Sequence, residues 1–319
     1  MEPLAKYRLF QSAELECARE MVARKYCAHR LDFAAPQSQL DAVHNHVALP
    51  GLSFNYMRYG GAVRITPGEL ERFYLIQIPL AGGAQITNGK MEVESTIEFA
   101  TILNPDLKTD MTWHADCEML LVQIEAEHLR KEAEMMLGRS LDAPIRFDPK
   151  LRMQAKQLQP WRNQLRRIFA DLDAGATPHG LSELLLQFLE AAPSNIQCFF
   201  DATPVHLAPA QIKRAMAYIK SEFSAEIGLH DIARAAGASV RALQYGFKQA
   251  YGLTPMQMVR LERLRRAHYL LQGAYGAQTV TQIASALGFN HLGRFSQEYR
   301  DAFGETPQQT LNFAKRQLS

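Results

Sequence analysis

The chain has 319 residues, 47% of them hydrophobic, and a formal charge of +2 from 35 Lys and Arg against 33 Asp and Glu. That length predicts two domains, each with its own core, and apolar residues spread along the whole chain argue against long disordered tracts. Apolar runs such as Met119 to Ile124 fall well short of the roughly 20 residues of a membrane span, residues 1–10 lack the pattern of a secretory signal, and four cysteines without CxxC spacing argue against a disulfide or metal framework, so a reducing cytoplasm is the expected compartment.

Residues 40–124 read as β-rich. Apolar and polar types alternate through Leu52-Ser53-Phe54-Asn55-Tyr56 and again around Tyr74, Ile76 and Ile78. Gly60-Gly61, Pro67-Gly68, Gly82-Gly83 and Asn88-Gly89 punctuate the stretch, the last being a two-residue hairpin signal. Short strands spaced by turns predict a sandwich or small barrel. Residues 125–137 then read as a helix stopped by Gly138, and 148–172 and 181–191 as two further helices around the loop Asp173-Ala174-Gly175-Ala176-Thr177-Pro178. Such a helical hairpin is expected to pack on the barrel or on a second subunit. Pro193, Pro204 and Pro209 mark a stretch without sustained period. The predicted division is 1–192, a linker at 193–208, and a helical domain at 209–319. From Ala208 onward there are 14 Lys and Arg against 7 Asp and Glu, so a basic C-terminal third follows an acidic remainder, which points to a polyanionic partner for that end.

The last hundred residues contain one unit twice. Ile232-Ala233-Arg234-Ala235-Ala236-Gly237 is answered 51 residues on by Ile283-Ala284-Ser285-Ala286-Leu287-Gly288. Phe247-Lys248 and Gly252-Leu253-Thr254-Pro255 are answered 52 residues on by Tyr299-Arg300 and Gly304-Glu305-Thr306-Pro307, so one residue is inserted between the anchors. Each unit reads as helix-turn-helix. Gly237 and Gly288 make the turns. Ser239 caps the second helix of the first unit, with Asn290 at the matching place in the second. Leu243, Phe247 and Tyr251 are the expected buried anchors of one helix, Phe295 and Tyr299 of the other. Thr254, Thr279 and Thr306 head capping boxes completed by Gln257, Gln282 and Gln309. The helix after Thr254, to about Leu271, spans about 27 Å and carries Arg260, Arg263, Arg265 and Arg266, a stiff spacer between the two units.

The run Ile-Ala…Gly-Phe…Phe-Ser…Tyr-Arg…Phe-Gly-x-Thr-Pro from Ile283 to Pro307 resembles the signature of the AraC/XylS family of transcription regulators, over residues 209–313. Residues 40–138 are similar to the cupin-like regulatory domain of its XylS-type branch, through Tyr59-Gly60, Ile78-Pro79-Leu80-Ala81-Gly82 and Trp113-His114-Ala115-Asp116-Cys117. Thr310-Leu311-Asn312 departs from the pattern in having no Arg where many relatives carry one. The resemblance implies an α+β multidomain protein: an N-terminal cupin-like barrel or sandwich with a helical hairpin, and an all-α C-terminal domain with two helix-turn-helix units. It implies double-stranded DNA and RNA polymerase as partners, a homodimer, and activation rather than repression.

A recognition helix offers DNA the face opposite its core anchors. In the first helix Val240, Arg241, Gln244 and Tyr245 stand there, with Lys248 one turn on; in the second, His291, Leu292, Arg294 and Gln297, with Ser296 and Arg300 beside them. An arginine pairs with guanine and a glutamine with adenine in the major groove. Lys248 and His291 suit phosphates. The helices starting after Gly228 and Thr279 offer N-terminal N–H groups to phosphate. In the barrel, Tyr56, Arg58, Tyr74 and Trp113 are candidate lining for a small-molecule effector, aromatic walls with one cation suiting an aromatic or aliphatic carboxylate, the class to which XylS-type relatives often respond. Two alternatives stand beside this reading: a DNA-binding regulator controlled by a protein partner, and a metal-dependent cupin enzyme. The HxH pair His44-Asn45-His46 has metal-ligand spacing, but no Glu follows and only His114 adds an imidazole, so one inward and one edge or surface histidine is expected and no metal. Cys117 near His114 lacks an orienting group, and no phosphate loop, GxSxG or dinucleotide fingerprint occurs, so neither a catalytic residue nor a cofactor is expected.

Overall fold

Strand pairing begins earlier in the chain, and ends later, than alternation alone marks. The computed structural model describes residues 2–35, 39–137, 140–201, 207–272 and 279–316. The strands are β1 (Arg8–Ser12), β2 (Arg30–Phe33), β3 (Ala42–Leu49), β4 (Leu52–Arg58), β5 (Val63–Gly68), β6 (Phe73–Ala81), β7 (Ala84–Asn88), β8 (Met91–Ser95), β9 (Phe99–Leu103), β10 (Thr109–Trp113), β11 (Glu118–Glu125) and β12 (Lys150–Arg152). They form a seven-stranded sheet, in the order β1-β3-β4-β11-β6-β9-β12, and a five-stranded sheet, β2-β5-β10-β7-β8. Every neighbouring pair of strands in the two sheets runs antiparallel among the described residues. The Asn88-Gly89 signal does make a hairpin. Asn88 is its last paired residue, opposite Met91, and Gly89 takes φ +65°, the left-handed value a tight turn asks of glycine.

Helices α1 (Leu15–Ala23), α2 (Ala126–Leu137), α3 (Gln159–Asp173), α4 (Leu181–Ala191) and α5 (Gln197–Asp201) complete this part. The central strands β4, β6 and β11 are covered on both faces. Met57, Leu75 and Leu121 face the five-stranded sheet and share one core with Ile65, Ile86 and Met111. Residues of the opposite parity meet the α3–α4 hairpin and its approach: Phe54 lies edge-on to Phe169 at 5.6 Å, and Tyr74 to Phe147 at 5.5 Å. Burying each of these rings or branched side chains contributes about 1.5–3 kcal/mol.

Two expectations need correction. The helix read at 148–172 starts at Gln159. Asp148 Oδ1 accepts from the Lys150 N–H at 3.0 Å, a local turn, and Lys150–Arg152 then pairs with Thr101 to Phe99 as β12. Pro160, in the first turn of α3, marks the true start. Residues 193–201, read as linker, are tied down. Ser194 bridges Phe147, the Asn195 side chain accepts from Arg146 N–H and donates to Pro144 O, and α5 follows. Gly138 and Pro204 lie outside the described residues.

The second part is helical: α6 (Pro209–Glu222), α7 (Leu229–Ala236), α8 (Val240–Tyr251), α9 (Pro255–Gln272), α10 (Val280–Ala286), α11 (Leu292–Phe303) and α12 (Pro307–Arg316). By contact density the chain divides into Met1–Glu134 with Ser140–Ala202, and Met135–Arg139 with Thr203–Ser319. Among the described residues no helix is long and apolar enough to cross a membrane.

Candidate nucleic-acid interface

The first helix-turn-helix is built from α7 and α8. Leu229, Ile232, Ala233 and Ala236 bury one face of α7, and Gly237 ends it at φ +64°. Ser239 then accepts from the Ala242 N–H at 3.2 Å, capping α8. Helix α6 holds the turn from outside. Arg214 donates to Ala236 O at 2.8 Å and Gln211 to Gly237 O at 2.8 Å, which satisfies carbonyls that the end of α7 leaves open. Gly246 lets α8 meet Leu207 closely; a β-carbon there would stand 2.7 Å from Leu207 Cδ1. Leu243 and Phe247 anchor α8 in the core.

On the other side of α8, Arg241, Gln244, Tyr245 and Lys248 follow i, i+3, i+4, i+7 spacing, so they share one face. The first three are half-buried and Lys248 is exposed, its ammonium donating to Gly252 O at 3.0 Å. Two neighbouring expectations fail. Val240 is buried rather than outward, and Tyr251 is 43% exposed rather than an anchor, packing only its ring edge near Phe247. The helix reaches its C-cap at Gly252, where the core no longer covers it.

The second unit repeats this with one change. The Thr279 side chain accepts from the Gln282 N–H at 3.2 Å and Gln282 Oε1 accepts from the Thr279 N–H at 2.9 Å, the full capping box. The same reciprocal pair forms at Thr254–Gln257 and Thr306–Gln309. Gly288 turns the chain at φ +77°. The cap of α11 is His291, not Asn290, so the inserted residue lies in the turn. Every position on α11 therefore matches one on α8 at a shift of 52. Ser296 matches Gln244, Gln297 matches Tyr245 and Arg300 matches Lys248, while Gly293 stands where Arg241 stands in α8. Arg294 matches the buried Ala242 yet is exposed, so it flanks the face instead of occupying its middle. Gln297 donates to Asp301 Oδ1 at 2.9 Å along the exposed side, and His291 starts the helix.

The arginines of α9 are tied into the domain. Arg260 pairs with Glu298 and Arg265 with Glu262. Arg263 donates to Phe223 O at 2.7 Å and Ala225 O at 2.8 Å, and its guanidinium lies against Gly288. Arg266 stands over the Tyr269 ring. Beneath α11, Tyr299 donates to Thr310 Oγ1 and lies 2.6 Å from His268 Nδ1, and burial pushes its hydroxyl up to about 12.

In the sheet sandwich, a cavity of about 50 Å³ lies between the sheets and the α1–β2 connection. Trp113 lines it, as expected. Tyr56, Arg58 and Tyr74 do not, because they point out of the opposite face of their strands. Tyr56 donates to Glu118 and Tyr74 to Ile145 O, while Arg58 pairs with Asp41. The lining residues are the strand neighbours, among them Met57, Tyr59 and Phe73, together with Tyr26 and His29 from the α1–β2 connection, for which no signal existed in the local pattern. His44 and His46 share one face, as period two demands, and one ring nitrogen of each reaches Asn55 Oδ1, at 3.0 and 2.7 Å; His44 is buried and His46 half-buried. Burial holds His44 down to about 4. Cys117 is buried, and desolvation pushes its thiol up to about 12, which removes it as a nucleophile. Among the described residues no group of three or more His, Cys, Asp or Glu is placed to hold a metal.

Comparison with known proteins matches residues 18–192 to the AraC-binding-like domain and residues 232–312 to a helix-turn-helix domain. The XylDLEGF operon transcriptional activator 1 of Pseudomonas putida is 26% identical over 322 residues, 98% of each chain. XylDLEGF operon transcriptional activator 2 of the same organism is 30% identical over 140 residues, 43% of this chain and 85% of its own length. Among solved structures, a transcriptional regulator with an AraC-type DNA-binding domain from Chromobacterium violaceum shares 31% identity, covering 33% of this chain and 91% of that one, with a TM-score of 0.31. These matches are to regulators and not to enzymes.

Proposed function

The chain belongs to the AraC/XylS family of DNA-binding transcription regulators, and from that premise we propose that it activates transcription in the cytoplasm under the control of a small molecule held in its N-terminal sandwich. The observation that carries the DNA-reading part is the paired units, each with a second helix whose anchored side is apolar and whose other side is polar and basic. Helices α8 and α11 enter successive segments of major groove. Arg241 and Gln244 read base edges, with Tyr245 beside them. Arg294, Ser296 and Gln297 serve α11, and Lys248, His291 and Arg300 hold phosphates. Since Gly293 takes the place of Arg241, α8 carries more of the base readout than α11. The α3–α4 hairpin supplies the contact between two copies of a homodimer, and RNA polymerase is the protein partner at the promoter. The sandwich, with its cavity, is the effector domain.

The test is a mobility shift with the promoter DNA beside the protein's own gene, at two salt concentrations and against scrambled competitor. Specific retention, lost in an Arg241→Ala plus Arg294→Ala variant, is the expected result. Failure to bind any DNA even at low salt would sink the reading.

A further inference from the structure

Three residues that line the sandwich cavity each carry a buried polar atom with no hydrogen-bond partner among the described residues: Tyr26 Oη, His29 Nε2 and Trp113 Nε1. The rest of the wall is apolar apart from the Tyr59 hydroxyl, the Cys27 thiol and Gln77, whose amide is turned to Met111 Sδ at 3.2 Å. Buried polar groups are ordinarily paired, so three orphans around one cavity call for an occupant. Their chemistry is specific. Trp113 Nε1–H only donates. The His29 Nδ1 lies 3.0 Å from Cys27 O, a pure acceptor, so the ring hydrogen sits on Nδ1 and Nε2 is left as an acceptor. The Tyr26 hydroxyl donates or accepts. Burial pushes Tyr26 up and His29 down, so both remain neutral.

Among the described residues no Lys or Arg lines the cavity. The one cation of the expected lining, Arg58, stands on the opposite face of its strand and pairs with Asp41. An anion placed inside would lose its water without gaining a counter-charge, and buried charges without partners are strongly disfavoured. At about 50 Å³ the cavity admits a few waters and is smaller than the roughly 150 Å³ that takes up benzene. Met57 and Met111 form part of its wall, and such unbranched side chains repack readily.

From these observations we infer that the effector is a compact neutral molecule, aromatic-sized at most, with an acceptor that Trp113 and Tyr26 address and a donor that His29 accepts, a carboxamide or hydroxyl head rather than a carboxylate. This rests on the reading of the sandwich as the effector domain and departs from the carboxylate that aromatic walls with one cation would suit.

The full chain is titrated calorimetrically near neutral pH with benzamide and benzyl alcohol, and with benzoate, the anionic near-isostere of benzamide. A neutral probe is expected to bind at least about tenfold tighter than benzoate. Tyr26→Phe and Trp113→Phe are each expected to weaken it about fivefold, the loss of one neutral hydrogen bond. Tyr26→Phe removes an unpaired hydroxyl, so the ligand-free Tm stays the same or rises, which separates a lost ligand contact from a damaged fold. Benzoate binding as tightly as the neutral probes, no binding of either neutral probe, or binding unchanged in both variants would overturn the inference. A mobility shift on the same preparation keeps this apart from the regulator reading, because retained DNA binding with no probe binding sinks only the inference.

Discussion

Arg241 and Lys248 lie about two turns apart on the outward face of α8 and are assigned different work, so their substitutions should fail differently. Arg241→Ala should cost about 1–3 kcal/mol on the specific site and relax preference at one base pair, with little change on non-specific DNA. Lys248→Ala should weaken all sequences alike and reduce the salt slope by about one. Binding isotherms on specific and scrambled duplexes over a range of salt concentrations distinguish the two. Within the sandwich, His44 is fully buried, and burial holds it down to about 4 against an ordinary 6.5. The unfolded chain takes up a proton below 6.5 that the folded chain refuses. Stability is therefore complete above 6.5 and drains as pH falls toward 4, by roughly 3 kcal/mol from this residue. In His44→Gln, denaturant midpoints measured from pH 7 to 4.5 should show a shallower acid decline than in the parent.

The caps were legible from sequence because each depends on residues three apart. Thr254, Thr279 and Thr306 needed only their own glutamines, and the structure closes all three boxes. Removing the Thr279 hydroxyl by Thr279→Ala should cost about 1 kcal/mol, seen as a lower Tm with the first unit's helix content preserved. Strands were harder. The type alternation in β4 marked two faces correctly, but both are covered, so it could not say which one lines the cavity. Alternation puts Tyr56 and Tyr74 forward, yet their neighbours Met57 and Phe73 line the cavity, because a shift of one position changes the face. For β12 the partner lies about fifty residues away in β9, beyond any local pattern.

The chain's two units have separate cores, and the second contains both helix-turn-helix motifs with α9 packed against each. A fragment of residues 207–319 should accordingly fold alone, with cooperative helical melting, and should retain DNA binding without responding to any effector; non-cooperative melting of the fragment would count against its independence. Sequence by itself determined the repeat, the turn glycines, the caps, the anchors Leu243, Phe247, Phe295 and Tyr299, and with them the family, because helix periodicity and capping act within one or two turns of chain. Tertiary structure alone decided that the inserted residue lies in the second turn, leaving Gly293 where α8 has Arg241. It decided too that the arginines of α9 are spent within the domain, and that Tyr26, His29 and Trp113 come from distant segments to surround one cavity. Those outcomes depend on which faces meet across long stretches of chain, and no short-range pattern encodes them.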